Sequence, residues 1–120
     1  MTKILFIDDD PVLHRLVRLA LGELGGFDVV LARGGEVGFA LAQSEAPDAI
    51  LLDVMMPAPD GPAVIARLKA CEATANIPVA FLTGADDRDE ELRALGAVGT
   101  IAKPFNPATL AAQVRALFEL

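Results

Sequence analysis

Four short apolar runs each stop on a residue that can handle charge. Lys3-Ile-Leu-Phe-Ile7 runs into Asp8 and Asp9, and Ala49-Ile-Leu-Leu52 into Asp53. Val79-Ala-Phe-Leu82 runs into Thr83, and Val98-Gly-Thr-Ile-Ala102 into Lys103. If these runs are parallel strands of one sheet, carboxylates, a hydroxyl and an ammonium arrive at the same edge. Clustered carboxylates repel and raise one another's pKa, and a divalent cation removes that penalty. Hard oxygen ligands select Mg²⁺, with Mn²⁺ as the alternative. An aspartate such as Asp53 can act as a nucleophile and form an acyl phosphate. Lys103 could then neutralise phosphoryl oxygens, and Thr83 could donate a hydrogen bond to one of them.

The acidic run divides by role. Asp10 precedes Pro11 and an amphipathic segment, so it reads as a helix N-cap with proline at the first helical position. Asp8 and Asp9 lie before that cap, at the strand end, and read as metal-site acids. His14 is the only histidine and has no acid or cysteine at metal-ligand spacing, which leaves it a structural or surface role. Cys71 has no CxxC partner and no basic neighbour, and reads as a helix-end packing or surface thiol. Gly34, Gly35 and Gly38 do not form GxGxxG, and no GxxxxGK[ST] loop occurs, so neither nucleotide fingerprint is present.

The elements that must position these residues alternate in period. Leu13, Leu16, Val17, Ala20, Leu21 and Leu24 repeat as one face of a helix, stopped by Gly25-Gly26. Phe27–Ala32 reads as a second strand. A weaker helix marked by Val37, Ala40 and Leu41 follows, burdened by its glycines. After the strand at Ala49–Asp53 comes a Pro/Gly-rich loop, then a helix with Val64, Ile65 and Leu68 inside. Pro78 opens the fourth strand. The stretch from about Asp86 to Leu95 is charged and has only Leu92 and Leu95 as apolar anchors, which predicts a marginally held helix. The last helix carries Leu110, Val114, Leu117 and Phe118 on one stripe.

Five such βα units with continuously apolar strands predict an α/β fold: a flavodoxin-like, doubly wound parallel sheet flanked by five helices. In the strand order 2-1-3-4-5, ligands sit beyond the carboxyl ends of the strands, at the switch in order. Strand two, which ends at Ala32-Arg33 without an acid, is then the edge, and the reactive residues avoid it.

Bulk properties fit one domain over residues 1–120, long enough for a core without staples. Hydrophobic residues make up 53% of the chain, which argues for a globular rather than a disordered protein. One cysteine excludes an internal disulfide framework and fits a reducing cytoplasm. No apolar run approaches the roughly 18–20 residues of a membrane helix. The net charge of −7 argues against direct contact with nucleic acid and suits a cation or a basic partner.

Asp8-Asp9, Asp53 with Met56-Pro57 and Asp60-Gly61, Thr83, Gly96-Ala97 and Lys103-Pro104-Phe105 together resemble the receiver domain of two-component response regulators. The resemblance covers essentially the whole chain, with the motifs in order. It implies a phosphoacceptor signalling domain that promotes only its own phosphorylation and dephosphorylation. A sensor histidine kinase or histidine phosphotransfer protein would donate its phosphoryl group to Asp53. Asp8, Asp9, Asp53 and the backbone carbonyl of Met55 would hold Mg²⁺. Thr83 and Lys103 would bind phosphoryl oxygens and couple modification to the fourth helix and fifth strand. A downstream effector would meet the face of the fourth helix, fifth strand and fifth helix. The Lys103-Pro104 bond corresponds to one that is usually cis in the family.

This chain departs from the family pattern three residues before the lysine. Thr100 stands where relatives carry the Tyr, Phe or His whose rotation reports phosphorylation. Met55 and Ala85 occupy positions used elsewhere to tune phosphoryl lifetime, and neither side chain can orient a water through an acid or amide. Two other functions compete. One is a binding module that uses the fold without phosphorylation. The other is a haloacid-dehalogenase-type phosphatase, which needs a second acid where Met55 stands.

Overall fold

Residues buried on both faces of a sheet leave no solvent side to alternate with, and the apolar runs are buried in this way. The computed structural model describes residues 1–84 and 89–120. Strands β1 (Lys3–Ile7), β2 (Asp28–Ala32), β3 (Ala49–Asp53), β4 (Val79–Thr83) and β5 (Gly99–Ala102) pair in parallel in the order β2-β1-β3-β4-β5. That is the predicted α/β, flavodoxin-like topology. Among the described residues the helices are α1 (Pro11–Val17), continued by a π-helical segment (Arg18–Glu23), α2 (Gly35–Glu45), α3 (Gly61–Ala70), α4 (Asp89–Ala94) and α5 (Leu110–Phe118).

Alternate residues of each strand feed two cores. Ile4, Phe6, Leu51 and Leu82 pack with Val17, Leu21, Leu110, Val114 and Phe118 on the face covered by α1 and α5. Leu5, Ile7, Leu52 and Phe81 pack with Val64, Ile65, Leu68 and Leu92 on the face covered by α3 and α4. The in-and-out period is therefore present in the strands, but both directions are apolar.

Several expected boundaries move. Phe27 and Val98 lie just outside β2 and β5, which start at Asp28 and Gly99. The first helix leaves α-helical register at Arg18, and the Leu24 amide reaches back five residues to the Leu19 carbonyl at 2.9 Å. The wider π turn swings Leu24 out of the predicted apolar stripe, leaving it 63% exposed.

On α2 the expected anchors are misplaced. Val37 and Ala40 are exposed and Leu41 is half-buried, whereas Gly35, Gly38 and Ala42 are buried. The helix presents its small residues to the sheet, and a Cβ on Gly38 would come within 2.6 Å of the Ile7 side chain. Leu92 on α4 is fully buried, but Leu95, just past the helix end, is exposed. The expected start of that helix at Asp86, and Ala85 beside it, lie outside the described residues.

Candidate functional site

The β1–β3 register pairs Ile7 with Leu52, so Asp8 and Asp53 emerge side by side one residue later. The β4–β5 register pairs Thr83 with Ala102, and the Lys103 amide continues the ladder to the Thr83 carbonyl at 2.8 Å. The four strand ends thus deliver the predicted groups to one edge. Asp8, Asp53 and Thr83 are buried there, at 1%, 3% and 5% exposure, among the few buried polar side chains of the described residues. Asp9 is exposed at the rim.

Oxygen atoms of Asp8, Asp9 and Asp53 lie within 4.8 Å of one another. Asp8 divides its two oxygens between separate tasks. Its Oδ1 accepts the Asp10 amide at 2.9 Å, which fixes the loop leading into α1. Its buried Oδ2 has no hydrogen-bond partner and stands 3.5 Å from the Lys103 ammonium. Lys103 Nζ instead donates to Asp53 Oδ1 at 2.7 Å. Burial pushes the Asp8 carboxyl above its ordinary pKa, the Asp10 amide opposes this, and the Asp53 charge adds to it. Burial works against the Lys103 ammonium as well, but its bond to Asp53 and the charge of Asp8 outweigh that and hold its pKa above the usual lysine value.

A buried carboxylate oxygen without a hydrogen bond, in a set of hard oxygen donors facing the Lys103 ammonium, fits a small divalent cation. Met55 points its side chain into solvent, 78% exposed, beside a cleft of about 410 Å³ lined by Asp9, Val54, Met55, Met56, Pro57 and Asp60. A divalent ion with open coordination positions and an incoming small anion could share that mouth.

Supporting residues complete the site. Asp10 caps α1 by accepting the Val12 amide at 2.8 Å, with Pro11 at N1, as the sequence predicts. Asp60 caps α3 through the Ala63 amide at 3.0 Å. Behind it, a Cβ on Gly61 would fall 2.4 Å from the Asp53 carbonyl oxygen, so only glycine lets α3 start this close to the strand end. The Lys103-Pro104 bond is cis, and so is Ala58-Pro59, which the sequence did not single out.

His14 takes a more specific place than a generic core or surface residue. It is buried against the edge of Phe6, and its Nε2 lies 2.6 Å from the Asp8 carbonyl oxygen. A carbonyl can only accept, so Nε2 carries the proton. The signal was its position six residues after Asp8, on the first turns of a capped helix. Cys71 sits half-buried at the C-cap of α3, consistent with a helix-end thiol. Thr100 is half-buried on β5, and its Oγ1 donates to Asp89 Oδ1 at 2.7 Å.

Comparison with known proteins places this arrangement. The family model described as "Response regulator receiver domain" matches residues 4–115. The chain is 43% identical over 119 residues to the DNA-binding dual master transcriptional regulator RpaA of Synechocystis, covering 98% of this chain and 49% of that protein. It is 34% identical to the phosphate regulon transcriptional regulatory protein PhoB of Pseudomonas aeruginosa, covering 95% of this chain and 50% of the relative. The chain therefore spans about half the length of these curated relatives. Among solved structures, the chemotaxis response regulator CheY4 of Vibrio cholerae superposes with a TM-score of 0.90 at 30% identity, covering 98% of both chains. With the sheet order, the strand-end acids and the matched family model in agreement, the chain belongs to the response regulator receiver domain family of two-component signalling systems.

Proposed function

We propose that Asp53 is the phosphoacceptor of a divalent-cation-dependent receiver, and that Asp8, Asp9, Asp53 and the Met55 carbonyl hold Mg²⁺, with Mn²⁺ as a substitute. The observation that carries this reading is the pairing of Lys103 Nζ with Asp53 Oδ1 at 2.7 Å inside a three-carboxylate cluster. An oxygen of Asp53 attacks the phosphorus of a donor phosphohistidine, a P–O bond forms, and the P–N bond breaks with its electron pair leaving on the imidazole. A bound divalent cation would neutralise charge on the phosphoryl oxygens. Lys103 then shifts from carboxylate to phosphoryl oxygen, and Thr83, at the end of β4, offers a hydroxyl to another. The residues promote only the gain and loss of this one group, so the chain is a signalling domain rather than an enzyme with a diffusing product.

The donor is a sensor histidine kinase or a histidine phosphotransfer protein. An effector protein or domain then reads the face made by α4, β5 and α5, where Thr100 ties β5 to α4. The DNA-binding named for the RpaA relative does not fall to this segment, whose net charge is −7. Among the described residues no helix is long and apolar enough to cross a membrane. A cytoplasmic setting follows from the proposed phosphodonor.

Incubation with acetyl phosphate and Mg²⁺, followed by intact-mass measurement, tests the chemistry. One added phosphoryl group is expected on the wild type and none on Asp53→Ala. An unmodified wild type, or equal labelling of the variant, refutes the assignment. A second reading, a phosphorylation-independent binding module, draws support from the engaged state of Thr100. It predicts a partner affinity indifferent to Asp53 modification.

A further inference from the structure

The basic residues of this acidic chain are unevenly engaged. Lys3, Arg67, Arg93 and Lys103 each pair with a carboxylate. Lys69 donates to the Ala75 and Ile77 carbonyls, and Arg115 donates to the Gly25 carbonyl and lies over the Phe27 ring. Among the described residues, that leaves Arg15, Arg18 and Arg33 as side chains for which no ion pair or hydrogen bond is formed. All three line the same groove of about 340 Å³, completed by Pro11, Leu31 and the buried His14. Arg15 comes from α1, Arg18 opens the π-helical segment that continues it and Arg33 follows β2, so the first helix and the end of β2 converge on one groove.

We infer that this groove binds a compact multivalent anion, of the class of a pyrophosphate or a small phosphorylated metabolite. The three guanidiniums are exposed around one groove, and guanidinium forks match phosphoryl oxygens bidentately. The volume falls in the range of small-ligand sites, about 300–1,000 Å³. An extended polyanion such as nucleic acid would cross the surrounding acidic surface, given a net charge of −7, and lose more than the groove returns. A compact anion meets only the groove. The π-helical turn beginning at Arg18 is a second sign, because such turns concentrate at functional sites. The groove's lining includes none of Asp8, Asp9, Asp53, Thr83 or Lys103, although it adjoins that site through His14, which bonds the Asp8 carbonyl, and Arg33, which also borders a cleft lined by Asp9.

Sodium pyrophosphate titrated into the metal-free chain, followed by ¹H–¹⁵N spectra and calorimetry at constant ionic strength, tests the proposal. Saturable binding is expected, with amide shifts centred on residues 12–18 and 31–34. Arg15→Gln, Arg18→Gln and Arg33→Gln should each weaken it about tenfold, the loss of one charge-assisted pair. Asp53→Ala should bind as the wild type does, which separates this result from the phosphoacceptor assignment. Shifts that never saturate, an equal response to chloride, or shifts centred on Lys103 would overturn the proposal. So would a Glu-rich peptide saturating the same amides while pyrophosphate does not, since that marks the groove as a contact for an acidic protein segment.

Discussion

Thr100 Oγ1 and Asp89 Oδ1 meet at 2.7 Å, joining β5 to the first turn of α4. Asp89 also accepts Arg93 Nε at 3.0 Å, and Arg93 reaches the Val98 carbonyl at 3.0 Å. The bond from Thr100, with that from Arg93, holds the Asp89 carboxyl below its ordinary pKa. Thr100 is a hydrogen-bond donor that fastens α4, whose fully buried apolar anchor among the described residues is Leu92. Short helices with few buried contacts lie at the low-stability end of a fold, so one such bond weighs heavily in their local opening.

Removing the hydroxyl therefore loosens α4 without opening the sheet. Thr100→Val should speed hydrogen exchange of amides 89–98 while leaving β1 and β3 amides unchanged, and Thr100→Ser should restore most of the protection. Mass-resolved exchange reads this directly. Unchanged protection over 89–98 in the valine variant would mean that the bond contributes nothing to holding the helix.

His14 lies behind the acids proposed to hold the metal. Its Nε2–H is the donor to the Asp8 carbonyl, in a buried setting. His14→Phe keeps the ring against Phe6 and leaves that carbonyl without its donor. The expected cost is about 1–3 kcal/mol in urea unfolding, the price of an orphaned buried acceptor. Mg²⁺ affinity should fall roughly tenfold or more, as when a supporting partner of a metal ligand is lost. Wild-type Mg²⁺ binding in the variant would confine His14 to packing.

Gly61 controls how near α3 comes to the end of β3. Its amide donates to the Val54 carbonyl at 3.0 Å, and an added Cβ would meet the Asp53 carbonyl at 2.4 Å, Val54 Cα at 2.8 Å and the Phe81 ring at 2.9 Å. Two of these neighbours are backbone and cannot swing aside. Gly61→Ala should destabilise the fold by about 1–3 kcal/mol despite alanine's better helix propensity. It should also slow labelling by acetyl phosphate, because relief of the clash moves the Asp53–Val54 backbone. Gly34→Ala, where an added Cβ meets nothing within 4 Å, is the control.

Strand order and the strand-end acids were legible in the sequence because each apolar run is short, continuous and bounded by a polar residue, so its length and ending fix it. The helices were less so. Leu24 obeys an α-helical period that the backbone abandons at Arg18, and nothing in the residue types marks that change. The buried face of α2 is made of Gly35, Gly38 and Ala42, so a search for large apolar anchors chose Val37 on the opposite side. The Asp89–Thr100 contact joins residues 11 apart on different elements, and His14 acts through a backbone carbonyl rather than a side chain. Neither relation leaves a spacing pattern. What did transfer was chemistry concentrated at strand ends, where topology alone brings residues together.

Asp8 gives the site its pH dependence. Its folded pKa is raised, so between the ordinary carboxylate value, about 4, and the raised one the native state binds more protons than the unfolded chain. Stability from this group is full below the unfolded pKa and is lost as pH rises through the folded one. Asp8→Asn cannot ionise, so in metal-free protein its unfolding free energy should gain on the wild type as pH climbs from about 4 through the raised Asp8 pKa, then level off. Adding Mg²⁺ at neutral pH reverses the order. The wild type should gain about 2.7 kcal/mol at a hundredfold excess of Mg²⁺ over its Kd, and Asp8→Asn should gain far less. Urea melts of both proteins, with and without Mg²⁺, measure all four values. A wild-type advantage at neutral pH without metal would show that the Lys103 ammonium, 3.5 Å from Asp8 Oδ2, already compensates the buried charge and leaves the cation nothing to neutralise there.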